Sequence, residues 1–327
     1  MGESPAFSFI RVFFQSSHRL SMQPMTDKYV KKLIDNLPTA RSPQRLDLVL
    51  NGGAFNGSYL AGTLSFLKEM ERRDMVRIER ISGCSVGAIA ALFYCMDSLD
   101  FVPKLYDTMK NHLRSHCSLE VLKTLQSQLE EENRIPSDLC DRVNGKLFVC
   151  YHDLKRNKKV VKSTFKDLND VMESIIRSCY IPFFIDHHMV YKKRYMDGVH
   201  AHVFPREKGK RVLYIELLSY DKIVQSVSIK NEKTNFHRVL EGLLDIHSFY
   251  MKQSNTSMCS FVDTWTWWHH VNYWLKLVVE RMLVATVMAM QYMSKFIDKD
   301  FRQHILVKIG MRVWFDIFSI LMETYCF

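Results

Sequence analysis

The run LDLVL (46–50) is apolar throughout and of strand length, and it ends in the glycine-rich turn NGGAFNG (51–57). SYLAGTLSFLKEMERR (58–73) follows with Leu60, Leu64, Leu67 and Met70 at helical spacing, which gives one apolar face. VRIERISG (76–83) repeats the strand signal, and VGAIAALFYCM (86–96) reads as a helix of small and apolar residues. The order is therefore strand, glycine turn, helix, twice over. This predicts an α/β fold around a mostly parallel sheet, with both glycine turns at the edge where its strands end.

The remaining pattern is coarser. TDKYVKKLIDN (26–36) predicts a short amphipathic helix, capped by Thr26 or Asp27 and stopped before Pro38. Residues 100–140 read as helical and connective, and 166–178 as helical. KLFVCYHDL (146–154), KVVKSTF (159–165), VYKKRYMDG (190–198) and RVLYIELL (211–218) are strand candidates. Three regions follow: an extension with a short helix (1–40), an α/β domain (41–255) and a C-terminal helical module (256–327).

The last region differs in composition. It holds all five tryptophans, Trp265, Trp267, Trp268, Trp274 and Trp314, and a single glycine, Gly310. Residues 271–294 carry charge only at Lys276, Glu280 and Arg281, and residues 304–327 place His304, Lys308, Arg312 and Asp316 four apart. Charges interrupt both stretches too often for a clean spanning helix. They suit helices lying in a membrane interface, or a hairpin packed on the domain, and WTWWHHVNYW (265–274) supplies headgroup-depth aromatics.

Composition narrows the class. Of 327 residues 47% are hydrophobic and 24% charged, which excludes a disordered chain. The net charge of +10 favours an anionic partner. No nucleic-acid-binding motif accompanies it, so the expected partner is a phospholipid surface and not nucleic acid. The basic runs KRNKK (155–159), KKR (192–194) and KGKR (208–211) read either as solvated loops or as contacts to anionic lipid. Eight cysteines form no C-x-x-C pair, and the apolar piece FSFIRVFF (7–14) is too short and interrupted for a secretory signal. Reduced thiols, an intracellular location and peripheral membrane contact are expected, with no cofactor and no metal, since no calcium loop or zinc spacing is present.

GCSVG (83–87) fits the nucleophile-elbow pattern G-x-S-x-G, which stands a serine hydroxyl at the sheet edge over a helix N-terminus. The plain alternative is a glycine-rich turn without chemistry. In NGGAFNG, the backbone N–H groups of Gly52, Gly53 and Ala54 can point at one spot, as a developing oxyanion requires. A phosphate loop fits less well, because neither G-K-[ST] nor G-x-G-x-x-G is present. The serine needs a base, and Asp197 in YMDGVHAHVFP (195–205) is the candidate, against the reading of Asp-Gly as a simple turn.

LNGGAFNGSYLAGTLSFL, ISGCSVGAIAAL, SIIRSCYIPFFI and YMDG, in this order, resemble the patatin-like phospholipase family over about residues 44–220. GGAFNGSY is also similar to forms found in large DNA viruses. The resemblance implies a three-layer α/β fold and a phospholipase A-type lipid acyl-ester hydrolase working through a Ser–Asp dyad. Ser85 would be the nucleophile, Asp197 the base, Gly52, Gly53 and Ala54 the oxyanion hole, and Gly83 and Gly87 the elbow glycines. A neutral-lipid lipase and an inactive membrane-binding relative are the alternatives. This sequence departs from the family pattern at Ala54, at Asn56 in place of a basic residue, at Val199, and at Val203 in place of an asparagine. His187, His188, His200 and His202 crowd the same region; a Ser–His–Asp triad, a zinc site and ordinary loop histidines are the three readings.

Overall fold

Strands buried on both faces read as continuous apolar runs, and this sheet is built from such strands. The structure, a computed structural model, describes residues 22–38, 42–219, 222–229, 232, 234–296, 312, 313 and 320. Within them the order runs α1 (Met22–Asp35), β1 (Gln44–Leu50), α2 (Gly57–Arg72), β2 (Val76–Cys84), α3 (Val86–Met96), α4 (Val102–His116), α5 (Leu125–Glu131) and α6 (Leu139–Val143). It continues through β3 (Leu147–Asp153), β4 (Lys158–Lys162), α7 (Leu168–Ser178), β5 (Tyr195–Asp197), β6 (Arg211–Ile215), α8 (Ile223–Val227), α9 (Phe236–Lys252), β7 (Cys259–Phe261) and α10 (Trp267–Phe296).

Among the described residues the sheet has seven strands in the order β4-β3-β2-β1-β6-β7, with β5 also on β3. The four central strands β3, β2, β1 and β6 are parallel, and β4, β5 and β7 pair antiparallel. The expected α/β fold with a mostly parallel centre is therefore present, edged by antiparallel strands. Alternate residues of β1 serve two cores. Leu48 and Leu50 face the large core with α2, α3 and α9, whereas Val49 faces a smaller one. That second face is covered by Ala201 and Phe204 after β5, by Trp265 just before α10 and by Tyr273 in its first turns.

Local pattern set the early elements, and tertiary pairing trimmed the later ones. The strand expected over 190–198 joins the sheet as Tyr195–Asp197, with Tyr191 bridging back to Tyr195, and that over 211–218 as Arg211–Ile215. Helix α9 and strand β7 were not anticipated. β7 carries the sheet past residue 256, where a separate module was expected to begin. The extension 1–21 and the stretch 304–327, apart from 312, 313 and 320, lie outside the described residues.

Candidate active site

The elbow forms because β2 must turn sharply into α3. Ser85 sits at φ 53°, ψ −130°, a region that non-glycine residues occupy only when their surroundings force it. A Cβ on Gly87 would stand 2.2 Å from the Leu50 carbonyl oxygen, so only glycine lets α3 start this close to β1. A Cβ on Gly83 would likewise stand 2.6 Å from the Ala88 backbone on the same turn. The Ser85 N–H donates to Ser178 Oγ at 2.9 Å, and that hydroxyl donates to the Cys150 carbonyl at 2.7 Å. Ser178 thereby ties the elbow to β3.

The first glycine turn lies directly against this serine. A Cβ on Gly52 would be 3.2 Å from Ser85 Cβ and 3.4 Å from the Val199 carbonyl oxygen, so Gly52 is wedged between the elbow and the aspartate loop. Ala54 also has positive φ, at 45°. The backbone N–H groups of Gly52, Gly53 and Ala54 donate to no protein acceptor among the described residues. Free amides beside a serine hydroxyl are what an oxyanion site requires. Asn56, wholly buried, holds the turn from behind: its Nδ2 donates to the carbonyls of Leu217 (2.7 Å) and Lys222 (3.0 Å). Its Oδ1 accepts from Arg238 of α9 at 2.7 Å, and the same guanidinium pairs with Glu232.

Strand register explains how Asp197 reaches Ser85. β2 ends with Cys84 opposite Cys150 on β3. β4 occupies the other edge of β3, so β5 can only take over the edge that β2 vacates, and it sets Asp197 opposite Tyr151, the next residue along. Asp197 Oδ1 accepts from the Val199 N–H at 2.6 Å and from Cys84 Sγ at 3.5 Å. Its Oδ2 is buried with no hydrogen-bond partner at ordinary geometry, although the Ser85 hydroxyl is close enough to act on the carboxyl. Burial raises the Asp197 pKa, and the Ser85 hydroxyl and Val199 N–H offset part of the rise. Burial also pushes the Cys84 thiol well up, which keeps it protonated. Val199, a β-branched residue at φ 62°, is the third strained position. One positive-φ residue thus marks each of the three converging turns.

The histidines take other places. His200 Nδ1 lies 3.1 Å from Glu280, and His188 Nδ1 lies 2.9 Å from the Asp186 carbonyl. The His202 N–H donates to Ser82 Oγ at 3.0 Å. Among the described residues no three His, Cys, Asp or Glu side chains gather into a metal-holding group.

Two narrow apolar cavities lie beside the elbow, one of them reaching the serine. One, of about 20 Å³, is lined by Ser85 with Leu119, Leu122, Cys179 and Ile181. The other, of about 30 Å³, runs on to Val102, Leu105 and Tyr106. Both share Ala54, Phe55, Val86, Ile89 and Met109, so they form one slot nearly pinched shut. The largest cavity described, about 710 Å³, lies at the opposite sheet edge beside Gln44, Val76 and Arg211, and holds none of these groups.

Sequence reasoning did not find Asn51, Ser178, Glu216 or Arg238. Asn51 joins two turns, because its Oδ1 accepts the Ala201 N–H at 3.0 Å while its Nδ2 faces Tyr214 and Glu216. Asn51, the first residue of NGGAFNG, and Ser178, inside SIIRSCYIPFFI, carried a signal that could have pointed to them.

A parallel-centred sheet with a strained serine elbow, an adjacent aspartate and unpaired glycine-turn amides defines a chain with the makings of an acyl-transfer site. Residues 48–207 match the family model described as "Patatin-like phospholipase". This span carries all three turns but ends before β6, α9 and α10. The chain is also 24% identical over 148 residues to the Mus musculus protein "1-acylglycerol-3-phosphate O-acyltransferase Pnpla3", an alignment covering 43% of this chain and 35% of that protein. It therefore spans about a third of the length of the relative it matches.

Proposed function

We propose that this protein hydrolyses lipid acyl esters, phospholipids foremost, with Ser85 as nucleophile and Asp197 as its base. Ser85 Oγ attacks the ester carbonyl and passes its proton to Asp197 Oδ2, the oxygen that has no other partner. Negative charge on the carbonyl oxygen would be met by the free amides of Gly52, Gly53 and Ala54. Asp197 returns the proton to the leaving alcohol, and a water activated in the same way then releases the fatty acid. A carboxyl of raised pKa is a better base for this than a solvated one. The observation that carries the reading is the buried, unpartnered carboxylate oxygen beside a strained serine at the mouth of an apolar slot.

The relative's name gives a second reading, in which the acyl group passes to a lysolipid alcohol instead of water. Labelling with a fluorophosphonate, comparing wild type with Ser85→Ala, tests both, since each needs an activated serine. An unlabelled wild-type chain would sink them. Product analysis with and without a lysophospholipid acceptor then separates hydrolysis from transfer.

A lipid surface is the proposed setting. Helix α10 turns Trp267, Trp268, Trp274, Leu275, Val279, Met282 and Leu283 to solvent, with Arg281 among them. Aromatic and aliphatic side chains beside a cation suit the headgroup boundary. No described helix is long and apolar enough to cross a membrane.

A further inference from the structure

Helix α10 has its charges in an unusual place. A surface helix ordinarily turns polar residues to water and apolar residues inward. Here a broad apolar face is exposed, while Lys276 and Glu280, one turn apart, point into the protein. Glu280 is 3% exposed and accepts from His152 Nε2 at 3.0 Å, from His200 Nδ1 at 3.1 Å and from Lys159 Nζ at 2.8 Å. His152 stands opposite Met196 in the β3–β5 pair, and His200 lies three residues past Asp197, so Glu280 grips the aspartate loop from both sides. Below it, Val284 and Val287 pack on Met196, the residue before Asp197. Lys276 bonds Glu216, which also accepts from Tyr214 Oη at 3.1 Å and faces Asn51 Nδ2 at 3.5 Å. Asn51 is the residue on which the oxyanion turn begins.

We propose that α10 is part of the catalytic unit, with Glu280 the positioning residue for the Asp197 loop and Lys276 that for the glycine turn. A buried ion cluster adds little net stability but fixes register, because sliding the helix by one turn would break every contact at once. The helix would thus serve two purposes, its outer face for lipid and its inner charges for the two catalytic turns. The inference rests on Ser85 and Asp197 being the dyad.

The full-length chain tests it, with a fluorophosphonate and a short water-soluble ester as probes. Glu280→Ala is expected to slow labelling and lower kcat by about 10- to 100-fold, the scale of a displacement of about 1 Å, with KM nearly unchanged. Glu280→Gln, which keeps a hydrogen-bonding head, is expected to recover part of the loss. Lys276→Met is expected to act in the same direction. Asp47→Asn, at the buried Arg80 and Lys210 pairs away from the serine edge, is the control for destabilisation and should label at the wild-type rate. Hydrogen exchange gives a readout that does not need activity. Glu280→Ala should speed exchange at least about 10-fold over residues 195–202, and Lys276→Met over 51–57. Should Glu280→Ala fail to fold, Glu280→Gln and Lys276→Met carry the test. Wild-type labelling and protection in these variants, or a loss seen only on lipid vesicles, would overturn the inference. An unlabelled wild type would sink the proposed function, and the exchange result would still decide the positioning role.

Discussion

Replacing Asp197 with Asn should cut activity sharply and stabilise the fold, and both differences from wild type should shrink together as pH falls. The carboxylate is buried, its Oδ2 has no partner, and burial raises its pKa. A carboxyl whose pKa is higher folded than unfolded binds more protons in the folded state. Its contribution to stability is then complete below the ordinary carboxyl pKa and is lost as pH rises through the raised folded value. Asn is permanently uncharged, keeps an oxygen for the Val199 N–H, and can offer its amide N–H to Ser85 Oγ. The relief should approach the cost of a buried unsatisfied polar group, about 1–3 kcal/mol, or roughly 1.5 to 4.5 °C in Tm for a chain of this size. Thermal unfolding of both proteins from pH 4 to 8 is the assay. Asp197→Asn should melt higher at neutral pH, and the gap should close as pH falls and Asp197 becomes protonated. Ester hydrolysis by the wild type should fall along an acid limb over that same window, while Asp197→Asn should be about 10²–10⁴-fold slower at neutral pH. A lower Tm for Asp197→Asn at neutral pH, or a gap that ignores pH, would refute the burial argument.

Met109→Ala should open the pinch shared by the two apolar cavities and shift preference toward longer acyl chains, read as kcat/KM over esters of increasing length; an unmoved profile would take the slot out of substrate binding. Arg238→Met leaves Asn56 Oδ1 without its buried donor, while Glu232 keeps the Tyr106 hydroxyl, so denaturant unfolding should show a loss of about 1–3 kcal/mol, and an unchanged midpoint would mean the contact is idle. Trp267→Ala with Trp268→Ala removes two exposed rings, each worth roughly 2–3 kcal/mol if buried in lipid, so sedimentation with anionic vesicles should weaken at least about 10-fold; equal binding would place the membrane contact elsewhere.

What could be read from the sequence was what is local. A βα turn with its glycines is a contiguous string, so β1, α2, β2 and α3 appear in the sequence nearly to the residue. The strand before Asp197 was overextended, because its length is set by the short stretch of β3 edge that β2 leaves open, and sequence says nothing about that stretch. Helix α9 carries the apolar spacing of Phe236, Val239, Leu243 and Ile246, a legible signal that went unused.

The second half of the site was hidden for a different reason. Asn56 looked like a lost cation because a motif counts only what stands in its own string, whereas the structure brings Arg238 to that amide from 182 residues further along. Glu280 looked like a flaw in a membrane helix, since a hydropathy pattern prices every charge against lipid or water. Its actual surroundings are two histidines and a lysine from three other segments, and their hydrogen bonds and charge outweigh burial and hold its pKa well below the usual carboxylate range. A charge that breaks an apolar pattern is thus ambiguous until its partners are known. Where those partners flank a candidate base, as His152 and His200 flank Asp197, the break in the pattern marks where a distant helix is fastened to the site.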